Sequence, residues 1–201
     1  MIKKLFITLF LLGIVVIGFK YFLFITEHNN KGEIPISNLK NGDLVLRCGR
    51  STESYAVYLA DKDAEFSHIG IIQIDNNIPY VIHAVPHKLK TIKKETLQEF
   101  LKPENASKYA IYRTTFSQTI LNKVVNEANQ FYTKKLTFDD DFDLKTNNKL
   151  YCTELIVKAF KNAGVTLNIK TKNLNYIVNT HAIIFPSEFT KKPIFNKLNI
   201  N

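Results

Sequence analysis

The feature that most constrains the fold is a pair of apolar segments separated by the turn Asp75-Asn76-Asn77. The segments cover residues 66–74 and 80–85, and each is rich in residues that favour β-strands. Asparagine tolerates the left-handed backbone that a two-residue hairpin loop requires. The pattern therefore predicts an antiparallel hairpin, and a two-residue loop fixes which residues face each other.

This register has a consequence for two histidines. With Asp75 facing Ile78, His83 faces Gly70, so His68 and His83 lie on the same side of the hairpin as a diagonal pair. Diagonal neighbours are about 7–8 Å apart, which two imidazoles can bridge with a hydrogen bond. A loop one residue longer would move His83 to the opposite face, so the pairing depends on the register.

A second feature is Cys152, which begins a predicted amphipathic helix that buries Leu155, Ile156 and Ala159. The positive end of a helix dipole lowers the pKa of a thiol placed there. Taken alone, a cysteine at such a position usually serves packing, and a histidine in a strand is usually structural. Together with a histidine pair, however, the cysteine indicates a thiol enzyme.

The predicted roles follow from this chemistry. Cys152 is the nucleophile, His68 its general base, and His83 orients His68 and holds its tautomer. The backbone N–H of Cys152 is a natural oxyanion donor, and the adjacent Tyr151 is expected to help bind the oxyanion or to line the pocket.

Other uses of these residues stay open. Cys152, His68 and His83 could bind zinc, but their spacing matches no compact zinc motif. The acidic run at residues 139–143 lacks the alternation and the glycine of a calcium loop. Cys48 could form a disulfide with Cys152, which would silence the nucleophile. We predict neither a metal nor a cofactor.

The N-terminus begins with Lys3 and Lys4 and continues with an apolar stretch from Leu5 to Ile25, interrupted by Lys20. This stretch is about long enough to span a bilayer, and no small-x-small cleavage pattern follows it. An uncleaved anchor that leaves the remaining chain outside the cytoplasm is the preferred interpretation, and a cleaved secretory signal is the alternative. The predicted anchor or signal segment, polar tether and folded domain cover residues 1–26, 27–40 and 41–201.

The formal charge is +9, carried mainly by lysines that are spread along the chain. This spread favours a solvated basic surface, and attraction to anionic lipid headgroups or an anionic wall polymer is the more specific alternative. A nucleic-acid partner is not expected, because the sequence has no basic helix and no basic patch interleaved with aromatic residues. Hairpin strands mixed with helices predict an α+β domain, with Ser51 and Ser117 capping two helices and a last strand at residues 181–185.

Several segments together resemble the YiiX/YebB-like branch of the NlpC-type cysteine hydrolases. They lie at residues 42–45, 66–71, 138–142 and 151–156, with a closing element at 184–189. The resemblance implies a circularly permuted papain-like fold, an antiparallel sheet packed on helices, in which the histidine precedes the cysteine. Many members of that branch carry a glutamate as the third catalytic residue, whereas His83 holds that place here, as in the lecithin retinol acyltransferase group.

The resemblance and the residues together predict an extracytoplasmic, membrane-anchored thiol hydrolase, an amidase or peptidase. It would cleave an amide or ester, in cell-wall peptides or in a lipid-linked acyl substrate, through a Cys152 thioester. Two alternatives remain: an acyltransferase that acts on lipids, and a non-catalytic module that binds wall or lipid ligands.

Overall fold

The computed structural model describes residues 10, 12–19, 22, 38–86, 90–175 and 180–199. In chain order the strands are β1 Leu44–Gly49, β2 His68–Asp75, β3 Ile78–Val85, β4 Thr91–Thr96, β5 Ala106–Thr114, β6 Lys172–Asn175, β7 Thr180–Ile183 and β8 Phe195–Lys197. The helices are α1 Thr52–Ala60, α2 Leu97–Phe100, α3 Gln118–Thr133, α4 Cys152–Asn162 and α5 Ser187–Thr190.

The main sheet has six antiparallel strands in the order β4-β3-β2-β1-β5-β8, and β6 and β7 form a separate pair. The predicted α+β class with an antiparallel sheet is therefore confirmed. One face of the sheet carries Leu46 and Ile69 into a core shared with the buried sides of α3 and α4. The opposite face carries Val45 and Val81 into a smaller core with α2.

The predicted hairpin is confirmed. Asn76 and Asn77 have φ angles of 49° and 62°, the left-handed values of a two-residue loop. Asp75 faces Ile78, and the β2–β3 ladder runs from there to the pair Ile71 and Ile82. The register that the sequence predicted from the loop is the register of the structure.

The predicted caps are also confirmed. The side chain of Ser51 accepts from the N–H of Ser54 at the start of α1, and Ser117 accepts from the N–H of Ile120 at the start of α3. These bonds satisfy backbone donors that a helix start leaves without partners.

Two expectations about strands were wrong or incomplete. The strand predicted at residues 181–185 is Thr180–Ile183, and it is not the last, because β8 follows and pairs with the edge of β5. Strand β4 was not expected at all, since its sequence is polar and lacks the apolar alternation that marks a half-buried strand. Its pairing with β3 supplies the order that its composition does not predict.

The predicted anchor at residues 1–26 and the tether at 27–40 lie mostly outside the described residues. Residues 12–19 are helical and exposed. Within the described part of the chain, no helix is both long and apolar enough to cross a membrane.

Candidate active site

The two histidines meet as the hairpin register predicts. His68 begins β2, and His83 in β3 directly follows the last ladder pair, Ile71 and Ile82. A Cβ atom on Gly70 would lie 2.4 Å from Cγ1 of Val81 and 3.2 Å from Cβ of His83. Glycine at this position therefore lets β3 come close enough for the rings to touch.

A continuous chain of hydrogen bonds starts at His68. Its Nε2 lies 2.8 Å from Nδ1 of His83, and Nε2 of His83 lies 2.9 Å from Oε1 of Glu95 on β4. Lys93 binds the other carboxylate oxygen of Glu95. Glu95 was missed by the sequence analysis because it lies in the unpredicted strand. The alternation of Lys93 and Glu95 is the only signal that could have indicated it.

The chain assigns the protons on both rings. A carboxylate only accepts, so Nε2 of His83 carries hydrogen and donates to Glu95. In neutral His83 the other nitrogen, Nδ1, then accepts, so Nε2 of His68 is the donor to it. Nδ1 of His68 is consequently left with a lone pair, which is the state a general base requires.

The pKa values agree with neutral rings. Burial, helped by the charge of Arg47, holds the pKa of His68 well below its usual range. Burial likewise lowers the pKa of His83 to about 4, although the bond to Glu95 acts in the opposite direction. Burial alone would raise the pKa of Glu95, but hydrogen bonds from His83 and Lys93 lower it to about 2.

Arg47 and Phe100 close the side of this cluster. Arg47 is the cross-strand partner of His68, its guanidinium stacks 4.0 Å above the Phe100 ring, and Nη1 donates to the Phe100 carbonyl. Phe100 also stacks on His68 and meets His83 edge-on. The rings are thus held by packing on one side and by the hydrogen-bond chain on the other.

Cys152 begins α4, which packs on the opposite face of the sheet from Phe100. It is partly exposed, and its sulfur interacts with the backbone N–H of Ile69, the residue next to His68. The pairing of β2 with β3 ends at Ile71, so the N–H of Ile69 lies beyond the last pair that joins these two strands. Among the described residues, no hydrogen bond joins the thiol to His68 itself.

The pKa of Cys152 departs from the expectation. Burial raises it to about 11, against the backbone N–H groups of Ile69, Thr153 and Cys152, which lower it. Desolvation of the sulfur therefore outweighs the helix terminus. At neutral pH the thiol and His68 are both uncharged.

The model of a known family matches residues 38–198, and its description is the permuted papain-like amidase enzymes of the YaeF/YiiX type, the C92 family. The chain belongs to this family. The resemblance that the sequence segments suggested is thereby confirmed.

Two relatives agree with the family assignment. The chain is 26% identical to the uncharacterized protein YiiX of Escherichia coli (strain K12) over 126 residues, which are 62% of this chain and 58% of that protein. The chain thus aligns with little more than half the length of this curated relative. The crystal structure of metalloprotein yiiX from Escherichia coli O157:H7 matches with a TM-score of 0.67 at 21% identity, covering 81% of this chain and 97% of that one, which shows the shared fold.

Within the family region, the residues on either side of Cys152 fasten α4 to the C-terminal segment. The hydroxyl of Tyr151 accepts from the N–H of Ile184 at 3.1 Å, and Thr153 donates to the Ile184 carbonyl at 2.8 Å. The carboxylate of Glu154 accepts from the N–H of Tyr151 at the start of α4. The structure thus places Tyr151 next to Cys152 with its hydroxyl on Ile184.

The acidic run before α4 has a structural role. Asp139 is fully buried and accepts from the N–H groups of Asp141 and Asp143, which shapes the loop. Asp140 pairs with Lys90. Cys48 and Cys152 are both free, so the alternative of a disulfide between them is wrong for this structure.

Proposed function

We propose that this protein is an extracytoplasmic, membrane-anchored thiol hydrolase that cleaves an amide or ester carbonyl through a thioester on Cys152. The observation that carries the proposal is the chain from His68 through His83 to Glu95, which leaves Nδ1 of His68 as a neutral base. The sulfur of Cys152 interacts with the backbone one residue away from that base.

The reaction begins with an uncharged pair. Nδ1 of His68 accepts the proton of the thiol as the sulfur attacks the carbonyl carbon, and the carbonyl electrons move to oxygen. Collapse of this intermediate expels the amine or alcohol, which takes the proton back from His68, and leaves a thioester. Water then attacks the thioester with His68 as base, which releases the acid and restores the thiol. Hydrogen bonds that are loose in an enzyme without substrate commonly tighten when substrate binds.

Charge on the sulfur and on the carbonyl oxygen needs donors. The backbone N–H of Cys152 is at the start of α4, and that of Ile69 interacts with the sulfur. Both are fixed by secondary structure, so they need little reorganisation when charge develops. Tyr151 contributes by holding the start of α4 in place, and its role as an oxyanion ligand stays a prediction.

A lipid-directed acyltransferase is the second candidate. The observation that favours it is the second histidine, His83, at the place of the third catalytic residue. In that reaction the thioester forms in the same way, and an amine or alcohol takes the acyl group in place of water. A non-catalytic module that binds wall or lipid ligands is the third candidate, and it predicts no thioester at all.

The substrate and the location belong to the same proposal. Amides of cell-wall peptides and lipid-linked acyl groups both supply the required carbonyl, and the apolar N-terminal segment holds the enzyme at the membrane. The charge of +9 favours anionic lipid or wall polymer as the neighbouring surface, with no role for nucleic acid.

The solved relative is described as a metalloprotein, which raises the question whether this site could hold a metal. Among the described residues, no group of three or more histidine, cysteine, aspartate or glutamate side chains is arranged to hold one. Three of the four ring nitrogens of His68 and His83 are already engaged by each other or by Glu95. These residues do not fit a metal centre, and no step of the proposed reaction uses one.

The experiment is acyl-enzyme trapping. The protein is incubated with muropeptides or with phospholipid vesicles, quenched in acid and measured by intact mass. We expect an acyl adduct on the native chain and on Cys48→Ala, and none on Cys152→Ala or His68→Ala. Transfer of the acyl group to an added amine separates the acyltransferase from the hydrolase. Absence of any adduct with both substrate classes contradicts both enzymes.

A further inference from the structure

Helix α1 is unusually apolar for a helix that lies on the surface. Its residues 55–60 are a continuous apolar run, and none of the helix is fully buried. Val57 and Ala60 pack on the core, whereas Ala56 and Leu59 are exposed, Leu59 by 50%. Two exposed apolar residues on one helix are ordinary, so their meaning depends on the apolar residues that lie beside them.

The helix is joined to the active-site end of the sheet. Gly49, the last residue of β1, donates its N–H to the hydroxyl of Ser67, which precedes His68. Ser54 in α1 lies so close to Gly49 that a Cβ atom there would be 2.2 Å from the serine hydroxyl oxygen. The close approach fixes α1 beside the strand end that carries His68.

The apolar N-terminal segment touches the same helix. The hydroxyl of Tyr55 donates to the carbonyl of Ile17 at 3.3 Å. Large apolar side chains of the segment's described residues are 47–70% exposed. They are Phe10, Leu12, Ile14, Val15, Val16, Ile17, Phe19 and Phe22. Burying such area yields about 25 cal/mol per Å², so leaving this surface in water is costly.

We propose that α1 and the helical residues 12–19 form one surface that lies in the plane of a lipid bilayer, at the headgroup boundary of its extracytoplasmic side, instead of the membrane-spanning anchor that the sequence predicted. The contact joins α1 to Ile17, in the middle of the apolar segment, and a segment that crossed the bilayer would carry Ile17 away from a water-facing α1.

The orientation of the protein on the membrane indicates a substrate class, an inference that rests on the proposed function. With α1 in the headgroup layer, the strand end that carries His68 faces the membrane. The carbonyl compound is then an ester or amide of an acyl chain held in the bilayer, because such a substrate reaches the thiol without leaving the lipid.

The absence of tryptophan from the sequence gives a direct test. Single Leu59→Trp and Ile78→Trp variants of the full chain are bound to phosphatidylcholine–phosphatidylglycerol vesicles with and without brominated acyl chains. Ile78 is the matched control, since it is 45% exposed at the β2–β3 turn. We expect a several-fold loss of fluorescence for Leu59→Trp and no change for Ile78→Trp. If brominated lipid leaves the fluorescence of Leu59→Trp as unchanged as that of Ile78→Trp, the proposal is overturned. A membrane-spanning segment with α1 in water gives that result.

A second measurement separates this proposal from the proposed function. Leu59→Glu is expected to slow hydrolysis of nitrophenyl palmitate in the vesicles about tenfold relative to Ile78→Glu, while both variants hydrolyse soluble nitrophenyl acetate equally. If only Cys152→Ala loses hydrolysis of both esters, the result supports Cys152 as the nucleophile, independently of how α1 contacts the membrane. Quenching of Leu59→Trp in a chain that hydrolyses neither ester supports the membrane surface and contradicts the enzyme, whereas an unchanged palmitate rate in Leu59→Glu overturns the orientation.

Discussion

Nε2 of His68 donates to Nδ1 of His83 over 2.8 Å, and this bond decides which nitrogen of His68 keeps a free lone pair. Its direction follows from Glu95, which accepts from the other side of the His83 ring. The carboxylate of Glu95 thus sets the proton position on the ring of His68, although it contacts only His83.

The hydrogen-bond chain from His68 to Glu95 predicts a large effect of removing only the charge of Glu95. Glu95→Gln keeps the size of the side chain but offers His83 both a donor and an acceptor, so both tautomers of the pair become populated. We expect kcat to fall roughly 10²-fold, within the range that general-base catalysis contributes, with little change in KM.

Glu99→Gln is the control, because Glu99 forms only an exposed ion pair with Lys102. Equal rates for the two variants in a steady-state assay would show that Glu95 has no part in the reaction.

The uncharged state of the thiol predicts its alkylation profile. Since burial raises the pKa of Cys152 to about 11, the thiolate fraction increases about tenfold per pH unit up to that value. The rate of iodoacetamide labelling of Cys152, followed by peptide mass spectrometry, should therefore rise steadily between roughly pH 7 and 10. A plateau that begins below neutral pH would reveal a preformed thiolate and imidazolium pair instead.

The buried histidines predict acid sensitivity of the fold. The pKa of His83 is lowered from 6.5 to about 4, so between these values the unfolded chain binds a proton that the folded chain does not. The contribution of His83 to the free energy of unfolding, on the order of 3 kcal/mol, is fully present above pH 6.5 and is lost as the pH falls towards 4. The depressed pKa of His68 acts in the same direction. Urea unfolding at several pH values should show this slope, and a flatter slope is expected for His83→Gln.

Gly70 predicts a steric effect with a built-in rescue. In Gly70→Ala the new methyl group meets Val81 at 2.4 Å and crowds His83 at 3.2 Å. Overpacking of this kind costs about 1–3 kcal/mol of the free energy of unfolding, and we expect lower activity because His83 moves. The double variant Gly70→Ala with Val81→Ala should recover part of both losses. A double variant that recovers neither stability nor activity would mean that the space around Gly70 is unimportant.

Tyr151→Phe distinguishes support from oxyanion binding. Loss of the hydroxyl leaves the N–H of Ile184 without its partner, at a cost of about 1–3 kcal/mol in thermal or urea unfolding. We expect kcat per folded molecule to change little. A fall of roughly 10²-fold in kcat with unchanged stability would instead identify the hydroxyl as an oxyanion donor. Tyr132→Phe, on an exposed side chain, is the control.

Much of the scaffold could be predicted from local chemistry. The loop residues Asn76 and Asn77 determined the hairpin register, and with it the meeting of His68 and His83, because a two-residue loop leaves one way to pair the strands. Ser51 and Ser117 determined two helix starts for a similarly local reason. These features depend on neighbouring residues in the chain, which the sequence displays directly.

Glu95 and the pKa of Cys152 were decided only by the tertiary structure. Strand β4 is polar, so it becomes a strand through its pairing with β3, and only that pairing brings Glu95 to His83. The helix start predicted a lowered thiol pKa, but the burial of the sulfur between α4 and the sheet raises it. The sequence by itself determined the hairpin register that brings His68 and His83 together, because a two-residue loop is a local feature. The third member of the hydrogen-bond chain and the protonation of the site depend on contacts and desolvation that exist only once distant segments have packed together.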